Sequence, residues 1–140
     1  MEKKHEELQR KYAEIQILNE QLKILQKNLY EIDGQIAELE NSINNCRELK
    51  KIKKGSQLVV PISPGVFISA ELKDNEEVLV NVGNNVVIKK KINEAEKFIS
   101  KRIESIKDYR NLVVDKIDKV NNYASMLERD IKEIIEERGK

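Results

Sequence analysis

The chain has 140 residues, 36% of them charged and 4% aromatic, with no tryptophan and a formal net charge of +1. The balanced charge excludes a polyanion binder held by net charge. So few large side chains at this charge density exclude an ordinary globular core and point to long helices with heptad patterning. The single cysteine, Cys46, excludes an intrachain disulfide and fits a reducing compartment. The leading Met-Glu-Lys-Lys-His-Glu-Glu has no apolar run behind its charges, and no apolar stretch approaches the ~18 residues of a membrane span. A cytoplasmic location is expected, without a signal peptide or a membrane partner.

A helix is predicted over residues 3–54. From Ile15 its apolar residues alternate steps of three and four: Leu18, Leu22, Leu25, Leu29, Ile32, Ile36, Leu39, Ile43, Cys46. With Ile15 at a and Leu18 at d, the pattern holds for more than four heptads, the signature of a coiled-coil seam. Leu8 and Tyr12 extend the stripe toward the start, but the step from Tyr12 to Ile15 repeats a three and predicts a local irregularity. Gly55 is the expected stop, with Lys50, Lys51, Lys53 and Lys54 at the negative end of the helix dipole.

Residues 56–91 are the only part without helical patterning. Leu58-Val59-Val60-Pro61-Ile62, Val66 to Leu72, Val78 to Val82 and Val86-Val87-Ile88 read as short strands. Pro64-Gly65 and Gly83-Asn84-Asn85 are turn sequences, so two β-hairpins in tandem are expected. The strands are apolar at nearly every position, and such strands want cover on both faces. Two hairpins also leave unpaired edges. Other chains are therefore expected to complete the sheet, through Leu58, Val60, Ile62, Phe67, Ile68, Val78, Val80, Val82, Val86 and Ile88; the alternative is that the two helices cover one face and the other stays wet.

The second helix is predicted over residues 93–138, with Asn93 as its N-cap and Glu96 at the third helical position, a capping-box-like start. Its seam is Ile99, Ile103, Ile106, Arg110, Val113, Ile117, Val120, Ala124, Leu127, Ile131, Ile134. Arg110 occupies an a site, where it either fixes register or carries its charge past the seam. Equal arm lengths predict an antiparallel hairpin of helices with both termini at one tip, and Arg110 close to Glu38 or Glu40.

No catalytic constellation is visible. His5 lies in a polar leader, and Cys46 reads as a small seam residue. No phosphate-binding loop and no Cys/His cluster occurs. An enzyme is not expected, and neither is a metal or a cofactor. Arg47 and Lys50 to Lys54, with Lys89 to Lys91, Lys97, Lys101 and Arg102, gather basic charge around the hinge. No aromatic stacking set accompanies it, so nucleic acid is not expected as a partner.

The middle segment is similar to that of the prefoldin family, α class, of the archaeal kind. The residues that carry the likeness are Leu58-Val59-Val60-Pro61-Ile62, Gly65, Phe67-Ile68, Leu72-Lys73-Asp74, Val78-Leu79-Val80, Val82-Gly83 and Glu94-Ala95-Glu96-Lys97-Phe98. Lys89-Lys90-Lys91 departs from it, since relatives often carry a Glu-Lys pair there. The resemblance implies a mainly α fold with a small β part: a long antiparallel coiled-coil hairpin with two β-hairpins between the helices, forming one subunit over 1–140. It further implies an ATP-independent chaperone, a hexamer of two α-class and four β-class subunits joined through their hairpins. Its coiled-coil tips would hold non-native proteins and pass them to a group II chaperonin. Candidates for holding clients are Leu8, Tyr12 and Ile17 on one arm and Tyr123, Met126, Leu127, Ile131, Ile134 and Ile135 on the other. Leu127, Ile131 and Ile134 also fit a role in closing the coiled coil. The alternative is a structural prefoldin-like protein that assembles only with itself, into rings or filaments.

Overall fold

Helix α1 runs Glu2–Lys50, strands β1 to β4 run Gln57–Ser63, Val66–Glu71, Glu77–Gly83 and Val86–Lys91, and helix α2 runs Ile92–Arg138 in a computed structural model that describes residues Glu2–Gly139. The two helices, of 49 and 47 residues, are each about 70 Å long at ~1.5 Å per residue. The chain divides into two units. One contains the residues up to Gln35 and from Ile106 onward, and the other is Ile36–Ser105.

The heptads explain which residues are covered. Every predicted seam residue of both helices, from Ile15 to Cys46 and from Ile99 to Ile134, is buried or half-buried. The best covered are Ile32, Ile36, Ile103, Val113, Ala124, Leu127 and Ile131. Complete burial of a Leu or Ile contributes roughly 1.5–3 kcal/mol. A two-helix seam leaves most of its residues half-covered, so stability accumulates from many partial burials.

In the terminal unit the helices lie antiparallel, as three cross-helix ion pairs show. Lys4 Nζ is 3.2 Å from Glu137 Oε2, Lys11 Nζ is 3.1 Å from Asp130 Oδ2, and Arg110 Nε is 2.6 Å from Asp33 Oδ1. Two expectations are corrected here. Arg110 pairs with Asp33 rather than with Glu38 or Glu40, so the helices mesh more than one turn away from the expected register. The stripe also does not pass through Tyr12. Leu8, Lys11 and Ile15 keep the alternating step of three and four, so Lys11 occupies the d position. Its side chain is 20% exposed, and Tyr12 is left outside. A lysine stem is apolar enough for that place while its ammonium reaches a carboxylate at the rim.

In the other unit, α1 gives way at Lys50, ahead of the expected stop. Its end tightens through i to i−3 bonds, from the N–H groups of Lys51 and Ile52 to the carbonyls of Glu48 and Leu49. Asn75 Nδ2 then donates to the Ile52 carbonyl at 3.0 Å. Gly55, at φ +88°, turns the chain into the first strand. At the other end, β4 passes into α2 without a linker. The Ile92 N–H still donates to the Glu76 carbonyl at 2.9 Å. Asn93 therefore lies inside the first turn and is not the cap. Its Oδ1 accepts from Lys50 Nζ, and Glu96 Oε1 is 2.9 Å from the same ammonium. The residues expected to start the helix instead join α2 to the end of α1. Ile92 and Ala95 are the most deeply buried side chains of this junction.

Candidate assembly and client-holding surfaces

The four strands form two separate two-stranded antiparallel sheets, β1 with β2 and β3 with β4. Residues opposite each other in such a pair share a face. In the first hairpin Leu58 opposes Ala70 and Val60 opposes Ile68, while Val59 opposes Ser69 and Pro61 opposes Phe67. Both faces therefore carry apolar side chains. In the second, Val78 opposes Lys90 and Val80 opposes Ile88, while Leu79 opposes Lys89 and Asn81 opposes Val87.

The hairpins repeat each other with a displacement of twenty residues, from Gln57 and Leu72 to Glu77 and Ile92. Each has a seven-residue strand, a two-residue loop and a six-residue strand. Each has its register shift at the same place, Pro61/Ser63 and Asn81/Gly83. Each ladder is extended by a bond of 2.9 Å, from the Leu72 N–H to the Ser56 carbonyl and from the Ile92 N–H to the Glu76 carbonyl, and the first also by a bond of 2.7 Å from the Gly55 N–H to the Leu72 carbonyl. The turns solve the reversal differently. Pro64 fixes its own φ and Gly65 sits at φ +80°, a type II pattern, whereas Asn84 and Asn85 both sit at positive φ, +50° and +59°, a type I′ pattern.

Of the ten residues predicted to dock partners, Val60, Ile62, Phe67, Ile68, Val86 and Ile88 are exposed in the single chain. Leu58, Val78, Val80 and Val82 are half-buried. The most exposed large apolar side chains of the strands are two that the prediction left out, Val59 at 70% and Leu79 at 73%. They belong to the same apolar runs, and alternation places them on the opposite face from Val60 and Val80.

Around the hinge, much of the basic charge is engaged locally. Lys51 pairs with Glu48 at 3.3 Å and Lys89 with Glu77 at 3.7 Å. Lys90 and Arg102 lie over the Phe98 ring, 5.6 and 5.7 Å from its centroid. Asp74, in the connection between the hairpins, accepts from the Glu76 N–H at 2.8 Å. That bond, more than any other influence, holds its carboxyl below the usual range; a bond to Glu77 and the charges of Lys89 and Lys54 act the same way. Cys46 lies half-buried in the seam. Burial pushes its thiol up, the Glu96 carboxylate adds to this, and Lys50 partly opposes it.

The terminal unit separates the proposed client contacts into two groups. Tyr12, Ile17, Tyr123, Met126 and Ile135 are exposed. Leu127 and Ile131 are 4% and 6% exposed, so while the helices stay packed they close the seam and present almost no surface. Leu8 and Ile134 are half-buried. Met126 and Tyr123 border a shallow groove with Glu7, Arg10, Lys11, Glu14, Leu127 and Asp130, and the Tyr123 hydroxyl donates to Glu14 Oε2 at 3.3 Å. Ile24, Tyr30, Tyr109 and Leu112 are exposed too. Their off-seam heptad positions were the signal that could have found them.

Among the described residues no helix is long and apolar enough to cross a membrane, and no group of three or more His, Cys, Asp or Glu is placed to hold a metal ion.

A family model for prefoldin subunits matches residues 18–137. The chain belongs to the prefoldin family. It is similar to a prefoldin subunit alpha from Thermofilum pendens, 31% identical over 85 residues, covering 61% of this chain and 66% of that protein. It is 29% identical over 90 residues to a prefoldin subunit alpha from Methanococcus maripaludis, covering 64% of this chain and 60% of that one. The matched stretch thus spans slightly less than two thirds of these relatives' own length. Its fold is that of filamentous PFD from Methanocaldococcus jannaschii, solved by cryo-EM, with a TM-score of 0.76 at 22% identity, over 82% of this chain and 95% of that one. With its tandem hairpins, the prefoldin chain is of the archaeal α type. Prefoldins are chaperone subunits, not enzymes.

Proposed function

We propose that this prefoldin chain is one subunit, over its full length, of an ATP-independent holding chaperone of the cytoplasm. Its hairpins dock on β-class prefoldin subunits and on a second copy of itself to build a hexamer. The end of its coiled coil that carries both chain termini holds non-native proteins, which are handed to a group II chaperonin. The observation that supports this best is the pair of hairpins with unpaired edges and exposed apolar side chains on both faces. An isolated two-stranded hairpin is marginal in water, and exposed strand edges are normally paired or covered.

Two measurements test it. Native mass with and without a β-class subunit should show a stable hetero-hexamer only when both are present. Removing the residues before Ile17 and after Tyr123 should leave assembly intact and abolish suppression of client aggregation. A truncated assembly that still protects clients would refute the role of the chain ends.

A second reading is favoured by the likeness to a filament-forming prefoldin. Hairpins repeated in tandem can bond head to tail, and such contacts propagate when the rotation does not close. Large homo-polymers that ignore the β-class subunit would establish it.

A further inference from the structure

Six large apolar side chains of the terminal unit lie outside the seam and on one side of it. Ile17 and Ile24 occupy c positions of α1. On α2, Tyr109 and Tyr123 occupy g positions, and Leu112 and Met126 occupy c positions. Positions c and g are neighbours on the helix surface, and the g positions of two antiparallel helices meet along the same side of the seam. The bond between Glu14 and Tyr123, both at g, marks that side. Asp33, at e, meets Arg110 on the other. All six side chains are 44–67% exposed. Over the same stretch the opposite side is mostly amide and charge, through Gln16, Asn19, Lys23, Gln26, Asn111 and Asn121, with Tyr30 and a half-buried Val114 as exceptions. From Tyr109 to Met126 the stripe runs about 25 Å along α2.

Lys116, at g, and Lys119, at c, fall between the two apolar pairs of α2. Among the described residues neither has a carboxylate within 4.0 Å, unlike Lys4 and Lys11. About half of six large side chains amounts to an exposed apolar area on the order of 500 Å². A stable protein pair covers about 800 Å² on each partner. Little more than half of such an interface is apolar, so area alone does not decide the occupant. The charges do: a two-fold contact with a second copy centred on the stripe would set Lys116 and Lys119 against their own copies, whereas a segment carrying carboxylates would pair with them.

We propose that this side of the coiled coil binds an unfolded client segment whose apolar residues flank one or two carboxylates. The apolar side chains lie on Tyr109 and Leu112 at one end and on Tyr123 and Met126 at the other, with the carboxylates at Lys116 and Lys119. This rests on the chaperone reading above. It extends the holding surface from the chain ends along one side of the arm.

The probe is a short fluorescent peptide with leucines around two central glutamates, compared with the same peptide carrying lysines, on the full-length chain in the assembly it forms. Wild type should bind the glutamate peptide about tenfold more tightly and lose that preference at high salt. Lys116→Glu with Lys119→Glu should reverse the preference. Ile24→Ser with Leu112→Ser, both exposed, should weaken the glutamate peptide about tenfold at unchanged helicity and thermal midpoint. Unchanged peptide binding in Ile24→Ser/Leu112→Ser overturns the proposal. So does a loss of self-association in that variant, which would make a second copy the occupant. If the chain-end truncation alone abolishes aggregation suppression, the stripe fails and the chaperone reading stands. If neither change affects suppression, the stripe and the role of the chain ends both fail; an assembly that gives no suppression even as wild type overturns the chaperone reading itself.

Discussion

Arg110 reaches out of the second helix to Asp33 of the first, Nε to Oδ1 at 2.6 Å, from a position where every heptad rule places an apolar side chain. Lys11 does the same in the other direction, from the first helix to Asp130 of the second. Each helix thus contributes one cation to the seam and one aspartate to its rim.

Arg110 should be tolerated rather than optimal for stability. Its guanidinium is more firmly protonated than usual, through the hydrogen bond to Asp33 and then that residue's charge, yet the pair is open to solvent, where ion pairs contribute little. Arg110→Leu is expected to raise the thermal midpoint followed by circular dichroism, and Arg110→Ala to lower it. Asp33→Ala should lower the midpoint only slightly in the wild type and not at all beside Arg110→Leu. A midpoint that falls in Arg110→Leu would contradict this.

Cys46 should be slow to alkylate and should make the fold sensitive to alkali. Its folded thiol titrates above its ordinary value, so folding disfavours the thiolate. The stability it contributes is complete below about pH 8.5 and is lost as pH rises through the higher folded value. Iodoacetamide should modify the native chain more slowly than the urea-unfolded chain. Cys46→Val should flatten the alkaline limb of a stability profile.

Asp74 should show the opposite dependence. Its folded carboxyl titrates below the ordinary value, so its contribution is present above about pH 4 and disappears as pH falls through the lower folded value. Hydrogen exchange at the Glu76 amide is the measurement. Protection should drop in acid in the wild type and be low at every pH in Asp74→Ala.

The two turns should respond differently to substitution at their positive-φ residues. Gly65 sits at φ +80° with open space around a would-be Cβ, so Gly65→Ala pays only the backbone strain, about 1–2 kcal/mol. Asn85→Gly, at φ +59°, should be neutral or stabilising because the Asn-Gly pair suits a type I′ turn. Urea unfolding would rank the two.

Much of this architecture is legible in the residues. The heptads of both helices predicted which side chains are covered, because a period of three and four has one physical solution on a helix. Four strands and two turns follow from β-branched runs and from Pro64-Gly65 and Asn84-Asn85. What escaped was decided by side chains with two uses. Asn93 and Glu96 look like a helix cap, but Lys50 draws both. Tyr12 looks more apolar than Lys11, but spacing outweighs polarity when the ammonium can reach Asp130. Val59 and Leu79 were passed over because a both-face-apolar strand does not say which face its own chain leaves open.

The error in register arises from matching equal arms at a stop near Lys54, whereas α1 ends at Lys50, and the charges alone do not correct it. Glu40 lies seven residues after Asp33, and Glu137 lies seven after Asp130. A slide of one heptad would hand Arg110 and Lys11 a new acid each. It would free Lys4 and bring Glu14 beside Asp130, a like-charge contact that costs only a few tenths of a kcal/mol. The terminal helices behave like two racks whose teeth fit at neighbouring settings, so their charges alone choose between them only weakly. Cut free as a pair of peptides, they are expected to populate both settings, and the intact chain owes its single phase to the covalent joint between them.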